Sequence, residues 1–375
     1  MARGPGSARE TMGMPVPPVW MARLANRLRN RVGALHARMA PGFVVLLERS
    51  LGLLDNKALF AVVELGVPDL LSKGPLGASE IAAALGTDAD ADALDRLLRY
   101  LVCRDVFAVT PDGRYANNGA SEALTLSAPV PWRNWILFFG SDWNGQIFDQ
   151  LLERVTEGTP ACEAAFGVGF FEYINQRNTD AGKAFNGAMA AGARLQSSLF
   201  AGAIDLGRYA RVCDVGGGTG ETMIQLLGAN PRLQGTVFDL PELEGDTANL
   251  LTRAGVIDRA QFRGGDFFES VPAGCDLYTL FAIIHDWDDE RCVRLLENVR
   301  DAMAPDGRIM VVEKVMPGGR AYDFSKASDM LMLVLSDGGR ERTEAEYEAL
   351  FARAGLRVCR RVVLPSLFDV FELGA

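Results

Sequence analysis

The stretch Asp214–Glu221, "DVGGGTGE", decides the fold, because a glycine-rich turn there joins a short apolar run to a helical pattern. Glycines at 216, 218 and 220 let the backbone turn tightly and let a ligand approach it without side-chain obstruction. A dinucleotide fingerprint would need glycine at Glu221 or Met223, and no GxxxxGK[ST] phosphate loop follows. The run therefore predicts a strand, a ligand-binding turn and a helix, without the signature of a dinucleotide or triphosphate site.

The region downstream of Tyr209 alternates short apolar runs with helical segments, from "RVCDVGG" to "GRIMVVEKVMP". This alternation predicts an open, mostly parallel sheet with helices on both faces, over residues 206–375. Ligands of such sheets bind beyond the carboxyl ends of the strands. We therefore expect the functional residues at that edge.

Acidic residues follow two further strands at this edge. Asp239 in "VFDLP" comes nineteen residues after Gly220, where a carboxylate can accept hydrogen bonds from both ribose hydroxyls. Asp266 and Phe267 in "GGDFF" suit an adenine amino group and an adenine face. A single aspartate after a strand is often only a helix cap, but three such ends in register predict an adenosyl cofactor.

The stretch Leu280–Cys292, "LFAIIHDWDDERC", contains one of the two histidines of the chain, His285. We expect His285 to end the fourth strand, on the same edge as the cofactor residues. A neutral imidazole is a suitable base for a phenolic hydroxyl, whose ordinary pKa is near 10.

Two glutamates can support this histidine. Glu313 in "VVEKV" ends the next strand, and Glu341 in "GGRERT" can return to the same cleft. A carboxylate that holds one imidazole nitrogen also stabilises the imidazolium. For Glu341 a role at the start of a helix is the alternative, since Thr343 and Glu346 form a capping box there.

Residues 43–205 have helical periodicity and contain a winged-helix pattern. "ASEIAAALG" and "ADALDRLLRYLVCRD" predict two short helices, and "VFAVTPDGRYAN" predicts a hairpin that turns at Pro111–Gly113. The second helix mixes Asp90, Asp92 and Asp95 with two arginines, so it lacks the cationic face that DNA binding demands. The pattern therefore favours a dimerisation or lid domain.

Residues 1–42 form a basic extension, which we expect to be partly disordered. It holds seven arginines and one glutamate, about +6, and leaves the remainder at about −16. Leu24, Leu28, Leu35 and Met39 recur at helical spacing among the arginines, which suits an anionic membrane surface or a partner, or packing on this chain or a dimer mate. An arginine-rich, acid-poor start also resembles a transit peptide.

The composition is that of a globular chain with a full core, at 49% hydrophobic and 23% charged residues. The net charge of −10 argues against nonspecific nucleic-acid binding. No apolar run reaches the roughly 20 residues that span a bilayer, and no secretory signal is evident, so a cytoplasmic location is expected. The six scattered cysteines form no CxxC pair and indicate neither a zinc site nor a disulfide framework.

Taken together, "DVGGGTG", "FDLP", "GGDFF", "HDWDDERC", "VVEKV" and "GGRERTEAEYEALFARAGL" resemble the caffeate and hydroxyneurosporene type of plant and bacterial O-methyltransferases, within class I of the S-adenosylmethionine-dependent enzymes. The resemblance covers roughly residues 50–375. It implies a Rossmann-like catalytic domain, a mostly helical winged-helix dimerisation domain, a homodimer, and methylation of a small secondary metabolite without a metal. It makes His285 the base, supported by Glu313 and Glu341.

The resemblance also identifies the binding residues. For S-adenosylmethionine these are Asp214, Gly216, Gly218, Gly220, Asp239, Leu240, Asp266, Phe267, Asp286 and Trp287, and for the acceptor Phe185, Met189, Met332 and Ser336. Plant members commonly carry lysine four residues before the histidine, where this chain has Phe281.

Three alternatives stay open at this stage. Some relatives keep the cofactor without transferring its methyl group, in hydroxylation, decarboxylation or pericyclic steps, although those tend to have lost this histidine. A winged-helix DNA-binding regulator is the second. A magnesium-dependent enzyme using Asp286, Asp288 and Asp289 is the third, although adjacent acids at a helix start usually serve the helix dipole.

Overall fold

The computed structural model describes residues 10–11, 14–15, 18–86, 89–319 and 322–375. The chain divides into two compact units. The helical unit comprises Ala34–Asp149 and Phe171–Ala191, and the sheet unit comprises Met1–Gly33, Gln150–Phe170 and Gly192–Ala375. Segments 150–170 and 192–205 thus belong to the sheet unit, although we expected them in the helical domain of residues 43–205.

The elements before the sheet are, in chain order, β1 (Glu10–Thr11), β2 (Met14–Pro15), α1 (Val19–Met39), α2 (Gly42–Ser50), α3 (Gly52–Glu64), α4 (Val67–Leu71), α5 (Ala78–Ala84), α6 (Ala91–Cys103), β3 (Phe107–Val109), β4 (Tyr115–Asn117), α7 (Gly119–Glu122), α8 (Arg133–Gly140), α9 (Asp142–Asp149), α10 (Leu151–Glu157), α11 (Ala161–Phe166), α12 (Phe170–Glu172), a π-helical turn (Tyr173–Arg177) and α13 (Thr179–Ala203). The remaining elements are β5 (Arg211–Val215), α14 (Glu221–Ala229), β6 (Gln234–Asp239), a 3₁₀ helix (Pro241–Leu243), α15 (Glu244–Arg253), β7 (Ala260–Gly264), β8 (Leu277–Phe281), a 3₁₀ helix (Ile284–Asp286), α16 (Asp289–Ala302), β9 (Arg308–Glu313), α17 (Phe324–Leu335), α18 (Glu344–Arg353), β10 (Arg357–Val363) and β11 (Asp369–Gly374).

The central sheet has seven strands in the order β10-β11-β9-β8-β5-β6-β7. The pairs β5–β6, β5–β8, β6–β7 and β8–β9 are parallel, as expected. However, β11 pairs antiparallel with both β9 and β10, so the sheet is mixed. The sequence analysis did not predict β10 and β11, although the apolar runs "RVCRRVV" and "FDVFEL" flank a proline–serine turn.

Helices cover both faces of this sheet. One core cluster joins Cys213 and Val215 of β5 to Leu295 of α16 and Phe351 of α18. The other joins Val212 of the same strand to the opposite set of helices, with Phe200 of α13, Met223 and Leu226 of α14 and Leu251 of α15. Neighbouring strand residues point to opposite faces, so the near-continuous apolar character of β5 follows from burial on both sides.

The strand before His285 ends earlier than predicted. β8 stops at Phe281, and Ala282 adopts a left-handed conformation with φ 54° that takes the chain out of the sheet. His285 lies in the 3₁₀ helix that follows, so its expected place at the end of a strand was wrong by four residues. Asp266 likewise follows β7, which ends at Gly264, by two residues. Both residues are still just beyond the carboxyl edge.

The helical unit contains the predicted winged-helix pattern. α5 and α6 are followed by the β3–β4 hairpin, which turns with Gly113 at φ 82°. The Asp90 side chain accepts hydrogen bonds from the first backbone amides of α6, and the apolar side of α6 packs on the wing through a buried core with Phe107 and Tyr115. This confirms the expected order of helix, turn, helix and hairpin.

The basic extension forms a long helix, α1, as its spacing predicts. We expected residues 1–42 to be partly disordered, and within that range residues 1–9, 12–13 and 16–17 lie outside the described residues. None of the described helices is long and apolar enough to cross a membrane.

Candidate active site

The glycine-rich loop leaves β5 at Val215 and enters α14 at Glu221. Gly216, Gly218 and Gly220 have φ of 71°, 55° and 90°, a region that favours glycine. A Cβ at Gly216 would overlap the side chain of Ile283, whereas a Cβ at Gly218 would meet nothing within 4 Å. The loop is therefore packed against the His285 turn on one side and open on the other, as a cofactor cradle requires.

Two aspartates brace this loop in different ways. Asp214 is buried and accepts a hydrogen bond of 2.6 Å from the Thr279 hydroxyl; its burial raises its pKa to about 7. Asp239 accepts from the Gly218 and Leu240 amides, each at 2.7 Å, and burial raises its pKa as well. Asp214 thus ties the loop strand to β8, while Asp239 holds the loop itself at the sheet edge.

An aromatic cluster combines two residues that follow β7, Phe267 and Phe268, with Trp287. The Trp287 ring meets Phe267 and Phe268 edge-on, at centroid distances of 5.9 and 4.8 Å. Asp266 is exposed, and its carboxylate accepts the Phe268 amide at 2.7 Å. The structure therefore brings the predicted Phe267 and Trp287 together, a contact that their spacing in sequence does not reveal.

His285 is buried, and charged groups surround its ring. Its Nδ1 lies 3.1 Å from Glu341 Oε1 and 3.9 Å from Glu313 Oε2, while its Nε2 lies 3.5 Å from Asp286 Oδ1. The predicted base and both predicted glutamates thus come together. Glu341 is the one within hydrogen-bond reach of the ring, and the alternative role at the start of α18 belongs instead to the Thr343–Glu346 capping box.

Two residues of this cluster were missed by the sequence reading. Lys314 Nζ lies 2.8 Å from Glu341 Oε1 and 3.3 Å from His285 Nδ1, and the Ser328 hydroxyl donates to Glu341 Oε1 at 2.6 Å. Lys314 and Ser328 are both buried. Only the adjacency of Lys314 to Glu313 in "VVEKV" hinted at its place, because Ser328 comes from α17, more than forty residues along the chain from His285.

Glu313 and Arg342 hold the main chain of the His285 turn. Glu313 Oε1 accepts the amides of Ile283, Ile284 and His285 at 3.0, 2.7 and 3.3 Å. The fully buried Arg342 guanidinium donates to the Ile284 and Trp287 carbonyls at 3.0 and 2.9 Å. A carboxylate on one side and a guanidinium on the other therefore define where His285 sits.

The charges of the cluster set its protonation. Burial and the Lys314 ammonium lower the pKa of His285, but Glu313, Asp286 and Glu341 together outweigh them and raise it to about 8. Burial tends to raise the pKa of Glu341, but His285 and Lys314 overcome this and lower it to about 2. For Glu313 and Asp286 burial dominates and raises the pKa. Glu341 is therefore the ionised partner of the ring.

Within the described chain, His285, Glu313 and Glu341 place three potential metal-ligand atoms within 4.8 Å of one another. The Lys314 ammonium already contacts two of these groups. A divalent ion there would lie beside the lysine's own positive charge. The cluster suits proton handling better than metal binding.

The predicted acceptor residues lie on two helices. Phe185 and Met189 are four residues apart on α13, so they share a face, and the Phe185 ring contacts Phe138 at a centroid distance of 5.6 Å. Met332 and Ser336 are four apart at the end of α17, where the Ser336 hydroxyl donates to the Met332 carbonyl at 2.6 Å. Phe185 and Met189 belong to the helical unit, and Met332 and Ser336 belong to the sheet unit.

A mixed sheet with a glycine-rich loop at its carboxyl edge, an acid after the next strand and a buried histidine nearby defines a class I methyltransferase. Residues 148–357 match the O-methyltransferase domain family and residues 47–127 match the O-methyltransferase dimerisation domain. The chain belongs to this O-methyltransferase family. It is an S-adenosylmethionine-dependent enzyme with a dimerisation domain, which confirms the predicted enzyme class, cofactor and homodimer.

Several relatives are enzymes of bacterial secondary metabolism. The mitomycin biosynthesis 6-O-methyltransferase of Streptomyces lavendulae is 36% identical over 81% of this chain and 86% of its own. The phenazine-1-carboxylate N-methyltransferase of Pseudomonas aeruginosa is 33% identical over 83% of this chain and 90% of its own. An O-methyltransferase from neocarzinostatin biosynthesis, solved with S-adenosylmethionine and 2-hydroxy-5-methyl naphthoic acid, superposes with a TM-score of 0.71 at 32% identity, over 86% of this chain and 96% of that one.

Proposed function

We propose that this enzyme methylates a phenolic hydroxyl of a small aromatic secondary metabolite, with His285 as the general base. The observation that carries the proposal is the buried imidazole whose Nδ1 lies 3.1 Å from the ionised Glu341. With Nδ1–H donated to Glu341, the lone pair of Nε2 is the site that takes up the acceptor's proton.

Besides binding both substrates, the protein has to remove one proton from the acceptor. S-adenosylmethionine supplies a methyl group on a sulfonium that is its own leaving group. His285 removes the hydroxyl proton as the new bond forms, and Glu341 stabilises the imidazolium that results. Lys314 and Ser328 hold Glu341 ionised and in place, which makes them positioning residues.

We assign a role to each predicted cofactor residue from its place in the fold. Gly216, Gly218 and Gly220 would line the cofactor through their backbone, and the Asp239 carboxylate would accept the ribose hydroxyls, with Leu240 beside it. Asp266 and Phe267 would contact the adenine. Asp286 and Trp287 would border the cofactor next to the base, and Asp214 would support the loop from below.

The acceptor class rests on the base and on the relatives. A phenol has to lose its proton before or during methyl transfer, so a buried imidazole that can act as a base favours a phenolic acceptor. The neocarzinostatin relative was solved with a hydroxylated naphthoic acid, which supports an aromatic hydroxy compound of that size here. Phe185, Met189, Met332 and Ser336 are the side chains we assign to the acceptor.

The test is methyl transfer to matched acceptors. Purified enzyme with S-adenosylmethionine is offered pairs of aromatic compounds that differ in a hydroxyl or an amino group. We expect S-adenosylhomocysteine and a product one methylene heavier from the hydroxyl member of a pair. The His285→Ala variant should lose a factor of about 10² to 10⁴ in turnover while it still binds the cofactor in calorimetry.

His36→Ala is the matched control, because His36 is exposed on α1. Wild-type turnover in His285→Ala would refute the base assignment. Transfer to the amino member alone would refute the hydroxyl acceptor. A converted substrate without S-adenosylhomocysteine would indicate an enzyme that keeps its cofactor intact.

A further inference from the structure

The helix α1 presents an apolar stripe that this chain leaves uncovered. The stripe consists of seven side chains that are each 45% to 77% exposed: Trp20, Met21, Leu24, Leu28, Val32, Leu35 and Met39. Their spacing of three and four residues puts them on one side of the helix. On the opposite side, Asn30 donates to the Tyr322 carbonyl at 2.9 Å. The stripe therefore faces away from the contact that ties α1 to its own chain.

The exposed apolar surface continues into the dimerisation domain. Phe43, Leu46 and Leu47 of α2 are exposed, as are Leu51, Leu53 and Leu54 at the start of α3. Among the described residues, thirteen of the twenty-five exposed large hydrophobic side chains lie between Trp20 and Leu54. Such a concentration of exposed apolar side chains in one stretch of the chain marks an interaction surface. It runs directly into residues 47–127, which match the family's dimerisation domain.

The charges of these two segments are complementary. α1 contains five arginines and no acid, whereas residues 47–127 contain twelve acidic and seven basic residues. An arginine helix laid on this domain of another copy therefore meets opposite charge along with apolar surface. The rest of the chain, at about −16, opposes adsorption of the protein to an anionic bilayer.

We propose that α1 is an arm that docks its apolar stripe on the dimerisation domain of a second copy of this chain. The arm precedes the domain that the family shares, so it adds to the homodimer an interface of its own. Burial of the stripe removes apolar area from water, and the arginines beside it set the orientation.

Photo-crosslinking of the full-length enzyme tests this directly. p-Benzoylphenylalanine replaces Leu28 within the stripe or, as the control, Asn26 on the other side of α1, which is also exposed. We expect irradiation to yield a covalent dimer from position 28, with the crosslink mapped by mass spectrometry to residues 47–127 of the partner, and little from position 26. A crosslink from position 28 that stays within one chain, or none, overturns the proposal.

A second measurement gives the energetic contribution. Leu28→Glu with Leu35→Glu is compared with Asn26→Glu by sedimentation equilibrium. We expect the dimer dissociation constant to rise at least tenfold in the stripe variant relative to the control. Equal dissociation constants would overturn the proposal. So would flotation of the wild-type enzyme with vesicles of phosphatidylglycerol and phosphatidylcholine that abolishes the dimer crosslink, since the stripe would then belong to a lipid surface.

Discussion

The glycine-rich loop and the His285 cluster lie side by side, but backbone groups form the loop and charged side chains form the cluster. The loop is a continuous stretch, Asp214–Glu221, whose shape comes from three glycines and from backbone amides. The cluster gathers His285, Asp286, Glu313, Lys314 and Glu341 from separate stretches, and all of them except the partly exposed Asp286 are buried. The loop therefore depends on backbone conformation, whereas the cluster depends on a balance of charge. The two should respond to different perturbations.

Among changes to the two regions, loss of the charge on Glu341 should lower turnover the most. Glu341→Gln leaves the imidazolium without its ionised partner, a charged hydrogen bond of about 1.5 to 3 kcal/mol. We expect turnover to fall about tenfold to a hundredfold with cofactor affinity unchanged, measured by steady-state kinetics and calorimetry. Glu348→Gln, an exposed glutamate of α18, is the control. Weakened cofactor binding would show that the two regions are not separable.

The pH dependence of the wild-type enzyme should follow the cluster. His285 must be neutral to accept a proton, and its pKa is raised to about 8, so activity is lost as the pH falls below that value. We expect kcat/KM for the acceptor to rise about tenfold between pH 7 and pH 9, then level off. A profile that is flat over this range would contradict His285 as the base.

A change confined to the loop should spare that profile. Gly216→Ala puts a Cβ against Ile283 and forces alanine to adopt φ 71°, at a cost of about 1 to 2 kcal/mol. We expect the KM for S-adenosylmethionine to rise several-fold to about tenfold, with the same pH midpoint. Gly228→Ala in α14, where a Cβ meets nothing within 4 Å, should change neither. A shifted midpoint in Gly216→Ala would mean that the Ile283 contact transmits loop strain to the base.

The smallest effect is expected at Lys314. Its ammonium lowers the pKa of His285, so Lys314→Met should raise that pKa and move the kcat/KM profile to higher pH by about half a unit or more. Cofactor affinity should stay the same. Lys73→Met, at an exposed position of the helical unit, is the control. An unmoved midpoint would assign Lys314 a purely structural role.

The same contrast explains what could be predicted from the sequence. The loop, Asp239 and the winged helix are local patterns, so periodicity and glycine spacing revealed them. His285, Glu313 and Glu341 were found because each follows a recognisable strand or turn. Ser328 was not, because a serine within a helix carries no local sign that it donates to a carboxylate thirteen residues away in sequence.

The end of β8 illustrates a second limit. Apolar character continues through Ile283 and Ile284, so the strand was extended to His285, but Ala282 leaves the sheet at a positive φ. Alanine has no local preference for that conformation, so the surrounding packing imposes it. The antiparallel β10–β11 pair was missed for a related reason, because its pairing with β9 depends on contacts distant in sequence.

Glu313 and Arg342 grip the His285 turn almost wholly by its amides and carbonyls. Main-chain hydrogen bonds thus set the position of His285, whereas the charged side chains around its ring set its protonation. We therefore expect mutations that reshape the proposed acceptor site to leave the position of His285 unchanged. This separation makes the fold evolvable, since natural selection can explore new acceptors without rebuilding the chemistry each time.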